Sequence, residues 1–264
     1  AHVLVGFGGN YGDCGAYNGW LVGVPTDGAA PLVTYKVPTD REGAIWAPGG
    51  PSVDDTGDVY VATGNGSAGP GHAFDHGDAV VALSPALAEL GFFAPATWAQ
   101  DSSTDTDLGS TTPVLLGGGL VFQIGKNGTA YLLHGAKLGG IGGQAASLSL
   151  CPSLGSTAYA GPSAFVVCTD SGQVKAVLVG AQGTLTPGFT WTSPTGGAGS
   201  PTVARGLLWT VDGHAGVLYG IDPTSGVTRY HVALRVGPVP HFAAPSAAGG
   251  LVLVAGTDAV EAFR

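Results

Sequence analysis

A short formula recurs along this chain: small residues and a proline, a β-prone run, a Gly- or Asp-marked turn, then a second β-prone run. Its fullest copy is GAIWAPGGPSVDDTGDVYVATGNG, Gly43 to Gly66, where Pro51-Ser-Val leads through a turn at 54–58 into Val59-Tyr-Val-Ala. Comparable prolines stand at Pro113 (GSTTPVLLGGGLVFQIG), Pro162 (AGPSAFVVCTD), Pro201 (GSPTVARGLLWTVDG) and Pro245 (AAPSAAGGLVLVAGTD), at separations of 62, 49, 39 and 44 residues. A repeat of about 40–50 residues is the length of one four-stranded propeller blade. The spacing predicts an all-β fold, a β-propeller. A β-sandwich is the rival, but it does not need this element at one-blade spacing.

Six units are legible, at approximately 1–42, 43–97, 98–150, 151–195, 196–238 and 239–264. They read as one propeller domain or its major C-terminal portion; seven or eight blades would draw on further residues. The first unit shows strands at 2–8, 20–24 and 31–37 and lacks its opening strand. The second predicts strands at 50–54, 58–63, 78–83 and 89–93; the third at 111–116, 119–124 and 129–133, with a weak fourth after Gly139. Later strands fall at 164–168, 173–179 and 188–192, then at 200–203, 207–211, 217–221 and 227–234. The last unit lacks its fourth strand. Because open edges invite wrong pairing, the seam is expected to be closed by residues from both termini, by an N-terminal segment or by a second chain.

The 47 glycines and 18 prolines argue against helices and suit turns between short strands. Only 10% of residues are charged, with a net charge of −9, which disfavours nucleic acid and anionic membrane as partners. No apolar stretch is long enough for a transmembrane helix. The chain opens inside a strand without Met or a signal-like segment, so it reads as a mature or cleaved product. Of three cysteines, Cys151 and Cys168 bracket a Gly/Ser/Pro-rich turn and a strand; they are read as a disulfide, with two buried thiols as the other reading and Cys14 outside the pair. A disulfide places the chain in a secreted or periplasmic setting.

GVLYGIDPTSGVTRYHV, Gly216 to Val232, resembles the repeat of the quinoprotein-like propeller family, with its Gly, strand, Asp, Thr/Ser-Gly turn and outer strand. That family includes pyrroloquinoline-quinone-dependent alcohol dehydrogenases and many non-catalytic proteins. Three patches are similar to the catalytic members. IWAPGGPSVDDTGDVYVATGNG resembles the blade that supplies a calcium-binding Asn, which implies Asn65. DTDLGSTTPVLL is similar to the approach that carries the catalytic base, which implies Asp105 or Asp107, with Asp107 also a candidate metal ligand. GKNGTAYLL looks like the segment reaching the cofactor, which implies Lys126; Trp46 is a candidate ligand platform. The chemistry agrees in outline, since hard oxygen suits calcium, a carboxylate takes an alcohol proton, and an ammonium stabilises charge on a quinone oxygen. CPSLGSTAYAGPS, however, lacks the Asn-Trp segment of those members.

Each of these residues also has a structural reading. Asn65 suits a turn, Asp105 and Asp107 lie with Asp101 in a polar loop, Lys126 suits a hairpin, and Trp46 suits packing between blades. His72, Asp75, His76 and Asp78 form the one compact cluster of mixed metal-ligand types, readable as a zinc site or as a polar hairpin loop. Asn65-Gly-Ser and Asn127-Gly-Thr match the glycosylation acceptor rule. No phosphate-binding Gly-rich loop and no serine elbow is present. The expected function is a non-catalytic extracytoplasmic scaffold with no cofactor, holding a protein or small ligand at loops on one face of the ring. The alternative is a dehydrogenase for an alcohol or sugar that uses pyrroloquinoline quinone and calcium.

Overall fold

Runs of four to eight β-branched and aromatic residues, cut by Gly, Pro and Asp, can satisfy their backbone only by pairing with the next run. The chain accordingly folds as successive antiparallel meanders. The computed structural model describes residues 1–9, 13–46, 49–236, 239–240 and 242–264. They divide into two compact units, Ala1–Leu150 and Cys151–Arg264.

The first unit holds three sheets. β1 (His2–Phe7), β2 (Trp20–Pro25) and β3 (Val33–Lys36) form a three-stranded meander in that order. β4 (Ser52–Val53), β5 (Val59–Ala62), β6 (Val80–Leu83) and β7 (Glu89–Ala94) form the second. After a six-residue helix α1 (Trp98–Ser103) come β8 (Val114–Leu115), β9 (Leu120–Gln123), β10 (Thr129–His134), β11 (Gly140–Ile141) and β12 (Ala146–Ser149). The turn expected at 54–58 is an Asp turn: Asp54 Oδ1 accepts from the amides of Thr56 and Asp58 at 2.9 and 3.0 Å.

The strand expected after Gly139 forms, but not in its own repeat's sheet. β11 pairs in parallel with β7, Gly140 opposite Phe93 and Ile141 opposite Ala94, so the second sheet runs β11-β7-β6-β5-β4. The third sheet's fourth strand is β12, paired with β10. The cause is local: Gly139, Gly140 and Gly142 all adopt positive φ (92°, 72° and 70°), which swings the chain onto the neighbouring edge, where the Gly142 amide bonds Ala94 O at 2.8 Å.

The second unit holds β13 (Ala158–Ala160), β14 (Ser163–Cys168), β15 (Gln173–Val179) and β16 (Leu185–Thr192) in one sheet, and β17 (Thr202–Ala204), β18 (Leu207–Asp212), β19 (Val217–Ile221) and β20 (Thr228–Ala233) in the next. β21 (Ser246–Ala248), β22 (Leu251–Ala255) and β23 (Val260–Phe263) form a three-stranded third. The structure corrects one equivalence. Pro51, Pro113, Pro201 and Pro245 each directly precede a sheet's first strand, whereas Pro162 lies in the turn between β13 and β14. The Cys151–Cys168 disulfide is formed, with the Cα atoms 5.5 Å apart, and ties the approach to β13 to the end of β14. Cys14 is outside it and exposed.

Alternation along the strands decides which sheets carry the cores. Val59, Val61, Val81 and Leu83 face Leu21, Tyr35, Val37 and Ile45 of the first repeat. Tyr60, Val80, Ala82 and Phe93, on the opposite face, pack against Val121, Tyr131 and Leu133. Hence β5 and β6 are buried on both faces. Each such Val or Leu contributes about 1.5–3 kcal/mol over its exposed state. In the second unit, Phe165, Val174 and Trp191 pack on Leu208 and Ile221, and Trp209, Val211 and Leu218 on Val252 and Val254. Among the described residues the outward face of β1 is left open: Val3, Val5 and Phe7 are 56%, 38% and 49% exposed. Among the described residues, no helix is long and apolar enough to cross a membrane.

Candidate functional site

Three loops of the first unit meet beyond the ends of β5, α1 and β9, bringing Asn65, Asp105, Asp107 and Lys126 together. Their approach depends on glycine. A Cβ on Gly109 would lie 2.4 Å from the Thr63 carbonyl carbon, and one on Gly125 would lie 2.5 Å from Asp107 O. Neither position has room for a side chain. With the backbones this close, the Lys126 amide bonds Asp107 O at 2.9 Å and the Asn65 amide bonds Asp107 Oδ1 at 2.9 Å.

The side chains close the cluster. Lys126 Nζ donates to Asp105 Oδ1 at 2.9 Å and forms a short ion pair with Asp107 Oδ2. Asn65 Nδ2 donates to Asp105 Oδ1 at 3.1 Å. Asp105 sits at φ 55°, a left-handed conformation that Asp tolerates, and its carboxylate is largely exposed. Burial pushes the Asp107 carboxyl above the usual carboxylate range, against the opposing pull of Lys126 and the Asn65 amide. For Asp105 the slight burial acts upward but is outweighed by Lys126, so its carboxyl is held low. Burial acts downward on Lys126 and is outweighed by Asp107 and Asp105, which raise it.

Beneath this cluster lies Asp78, fully buried, whose Oδ1 accepts the Leu108 amide at 2.8 Å while Oδ2 has no hydrogen-bond partner among the described residues. Burial holds its carboxyl well above the ordinary value. The same acid shapes the 107–111 segment with Gln123, whose Nε2 donates to Leu108 O at 2.7 Å and Ile124 O at 2.9 Å. Neither role was expected from the sequence. A signal existed for Asp78: a lone acid abutting Ala-Val-Val-Ala-Leu, a run buried on both faces, must be buried with it.

Trp46 is half-buried, and its indole nitrogen approaches Gly64 beside Asp107. It also lines a cavity of about 240 Å³ with Leu4, Val5, Ile45, Pro51 and Thr112. That cavity is lined by none of Asn65, Asp105, Asp107 and Lys126. The His/Asp cluster at 72–78 disperses. Asp75 Oδ2 accepts from Thr39 Oγ1 at 2.7 Å and the Ala68 amide at 2.8 Å, His76 Nε2 meets Glu89 at 3.1 Å, and His72 Nδ1 lies 3.3 Å from Gly69 O. Among the described residues, no group of three His, Cys, Asp or Glu is placed to hold a metal. Both sequon nitrogens are engaged, Asn65 Nδ2 with Asp105 and Asn127 Nδ2 with Asp101 at 3.2 Å.

As a calcium site, the cluster is short of oxygen. Calcium takes about six to eight oxygen ligands. Here both carboxylates are bonded to an ammonium, and Asn65 Oδ1 is buried without a partner among the described residues. A divalent cation would lie against the Lys126 charge, so these residues as arranged do not fit a calcium–quinone centre.

No protein-family model and no curated protein matches the chain. Among solved structures, 99% of it is similar to 73% of BamB from Moraxella catarrhalis, at 16% identity and a TM-score of 0.57. The whole chain is similar to 88% of a catalytically inactive virginiamycin B lyase from Staphylococcus aureus, solved with quinupristin, at 11% identity and a TM-score of 0.63. Similarity also covers 96% of the chain and 54% of the quinohemoprotein alcohol dehydrogenase ADHIIG from Pseudomonas putida HK5, at 10% identity and a TM-score of 0.66. Together with the successive meanders, these likenesses support a β-propeller-like fold; at such identities they speak to fold alone.

Proposed function

We propose that this chain is an extracytoplasmic propeller scaffold that holds a protein or a small ligand through loops on one face, without catalysis of its own. The observation that carries this reading is the closure of the Asn65–Asp105–Asp107–Lys126 cluster upon itself. A general base must have an open lone pair within reach of the substrate proton. Asp107 Oδ1 and Oδ2 accept from the Asn65 amide and from Lys126, and the side chain is 8% exposed. Lys126, bonded to two carboxylates, has its charge neutralised before any quinone oxygen could use it. The Cys151–Cys168 disulfide supports an oxidising compartment. Virginiamycin B lyase with quinupristin illustrates a similar fold in company with a small ligand.

The second reading is a dehydrogenase for an alcohol or sugar, with pyrroloquinoline quinone and calcium. It is favoured by the meeting of the four expected residues and by the orphaned Asn65 Oδ1. In that reading Asp105 or Asp107 is the base, Asn65 and Asp107 face the metal, and Lys126 and Trp46 face the quinone. A titration with pyrroloquinoline quinone and calcium, followed by tryptophan quenching and by alcohol- or sugar-dependent dye reduction, separates the two. The scaffold reading expects no saturable quinone binding and no turnover. Stoichiometric binding with turnover, both lost in Asp107→Asn, would overturn it.

A further inference from the structure

His214 stands in its repeat where Asn65 stands in the second. Ser52 and Thr202 each follow a repeat proline and lie opposite Tyr60 and Trp209, and five residues beyond those aromatics come Asn65 and His214. In the first unit this position is engaged with Asp105 and Asp107. The His214 ring, by contrast, has no carboxylate partner among the described residues. Its amide donates to Asp212 Oδ1 at 3.0 Å and its Nδ1 lies 3.3 Å from Thr195 O, while Thr195 Oγ1 is itself held on Asp212 at 2.6 Å. A carbonyl only accepts, so Nδ1 carries the proton and the neutral ring presents Nε2 as an acceptor. No hydrogen bond engages Nε2 among the described residues.

His214 lines a cavity of about 360 Å³ at the ends of β14 and β18, a volume in the range of small-molecule sites. Leu154, Val167, Val211 and Val239 contribute apolar lining, and none of the described lining residues is Asp, Glu, Lys or Arg. A charged ligand would lose its water there without gaining a counter-charge, so the cavity selects neutral molecules. Gly196, Gly197, Gly199 and Gly213 bring bare backbone to the wall, which lets a ligand approach closely. A Cβ on Gly197 would lie 2.5 Å from Asp212 Oδ1 and 2.7 Å from His214 Cγ, so the ring and the carboxylate sit as they do only beside glycine. The lining hydroxyls are already bonded: Thr169 Oγ1 donates to Pro152 O at 3.1 Å, and Ser200 Oγ accepts the Ser156 amide at 2.9 Å.

We propose that this cavity binds a small neutral aromatic molecule with one hydroxyl or N–H group, which donates to His214 Nε2. The proposal rests on the scaffold reading and names the class of its small ligand. Glycine backbone offers a flat wall to a ring face, apolar contact supplies affinity, and the single acceptor fixes the orientation. Asp212 is a positioning residue, acting through Thr195 and the His214 amide.

The test is calorimetric titration of the 264-residue chain with 2-naphthol, 2-methoxynaphthalene and 2-naphthoate. One-to-one binding of 2-naphthol is expected, about fivefold weaker for the methyl ether, which keeps the rings and lacks the donor. His214→Phe should erase that preference, leaving naphthol and ether equal, which a merely structural role for the ring would not do. The naphthoate should not bind saturably. Gly213→Leu, whose Cβ has room with Gly197 O at 3.9 Å, should abolish binding while amide exchange across β18 stays unchanged. No saturable binding of 2-naphthol, tighter binding of the naphthoate, a donor preference that survives in His214→Phe, or undiminished binding in Gly213→Leu would overturn the proposal. So would a blocked Gly-Trp-Gly peptide that displaces 2-naphthol with the higher affinity, since the site would then belong to a protein partner. Quinone-dependent turnover would remove the scaffold reading and leave the naphthol result standing; no naphthol binding without turnover removes this proposal alone.

Discussion

Asp107 in the first unit and Asp212 in the second are both buried carboxylates, and they are held in opposite ways. Asp212 sits in a cage of neutral donors: Thr195 Oγ1 at 2.6 Å, the amides of Ala215 and His214 at 2.9 and 3.0 Å, and a short bond from Ser193 Oγ. Burial pushes its carboxyl up, but the Ser193 and Thr195 hydroxyls and the backbone amides outweigh that and lower it. Asp107 has one amide and one ammonium, and burial wins. The contrast shows what neutral donors do for a carboxylate: with two hydroxyls and several amides on its oxygens Asp212 is the stronger acid, and with one amide and one ammonium Asp107 is the weaker.

The sharpest way to break this contrast is Asp212→Ala, which strands several buried donors at once. A loss of about 4 kcal/mol is expected, from hydrogen bonds to charge worth about 1.5–3 kcal/mol each, read as faster amide exchange across β18 and β19. Removal of the ammonium in Lys126→Met should cost less, about 2 kcal/mol at neutral pH, because its side chain is 23% exposed and water repays part of the lost pairing. That loss should shrink as acid protonates the unpaired Asp107, which urea titrations at several pH values would follow. An undiminished loss at low pH would mean the pair is not the cause.

Asp78→Asn should run the other way, with a gain of about 1 kcal/mol at neutral pH. The buried Asp78 carboxyl is raised, so its stabilising contribution is present below the unfolded carboxyl pKa and is lost as pH rises through the folded value. The lowered Asp212 carboxyl has the reverse linkage: its contribution is present above the unfolded pKa and is lost as pH falls through the folded one. Strand-resolved exchange on acidification should therefore show β18 loosening in wild type, while the Asp78→Asn chain loses its own pH slope near β6. The smallest effect belongs to a surface carboxylate, Asp222, held at about 2 by the Ser225 and Thr224 amides ahead of Arg229. Arg229→Ala should move it only slightly upward in a carbon-detected NMR titration, since the amides remain.

The sequence carried the sheets because each β-prone run is its own signal, and it carried the disulfide because the two cysteines flank one strand. It also brought Asn65, Asp105, Asp107 and Lys126 to one place, since residues at matching points of successive repeats end at the same rim. What stayed hidden depends on neighbours. Pro162 resembles the other repeat prolines in its local context, yet it belongs to a turn one strand later. The pairing of Lys126 with both carboxylates follows from loop backbones that only glycine at 109 and 125 permits, a contact that no single loop encodes. The burial of Asp78 was signalled by the apolar run it abuts, but its partner was not, because the Leu108 amide it accepts comes from the approach to the next sheet.

The two residues of β11 have a consequence for the order in which the molecule is made. They finish the sheet of residues 52–94 with chain that lies beyond the third repeat's first three strands. A ribosome must therefore deliver residue 141 before the second sheet has its outermost strand, by which time β8, β9 and β10 have already emerged. Blade-by-blade maturation, the natural expectation for repeats that touch only their neighbours, is replaced here by a latch that shuts behind the following repeat.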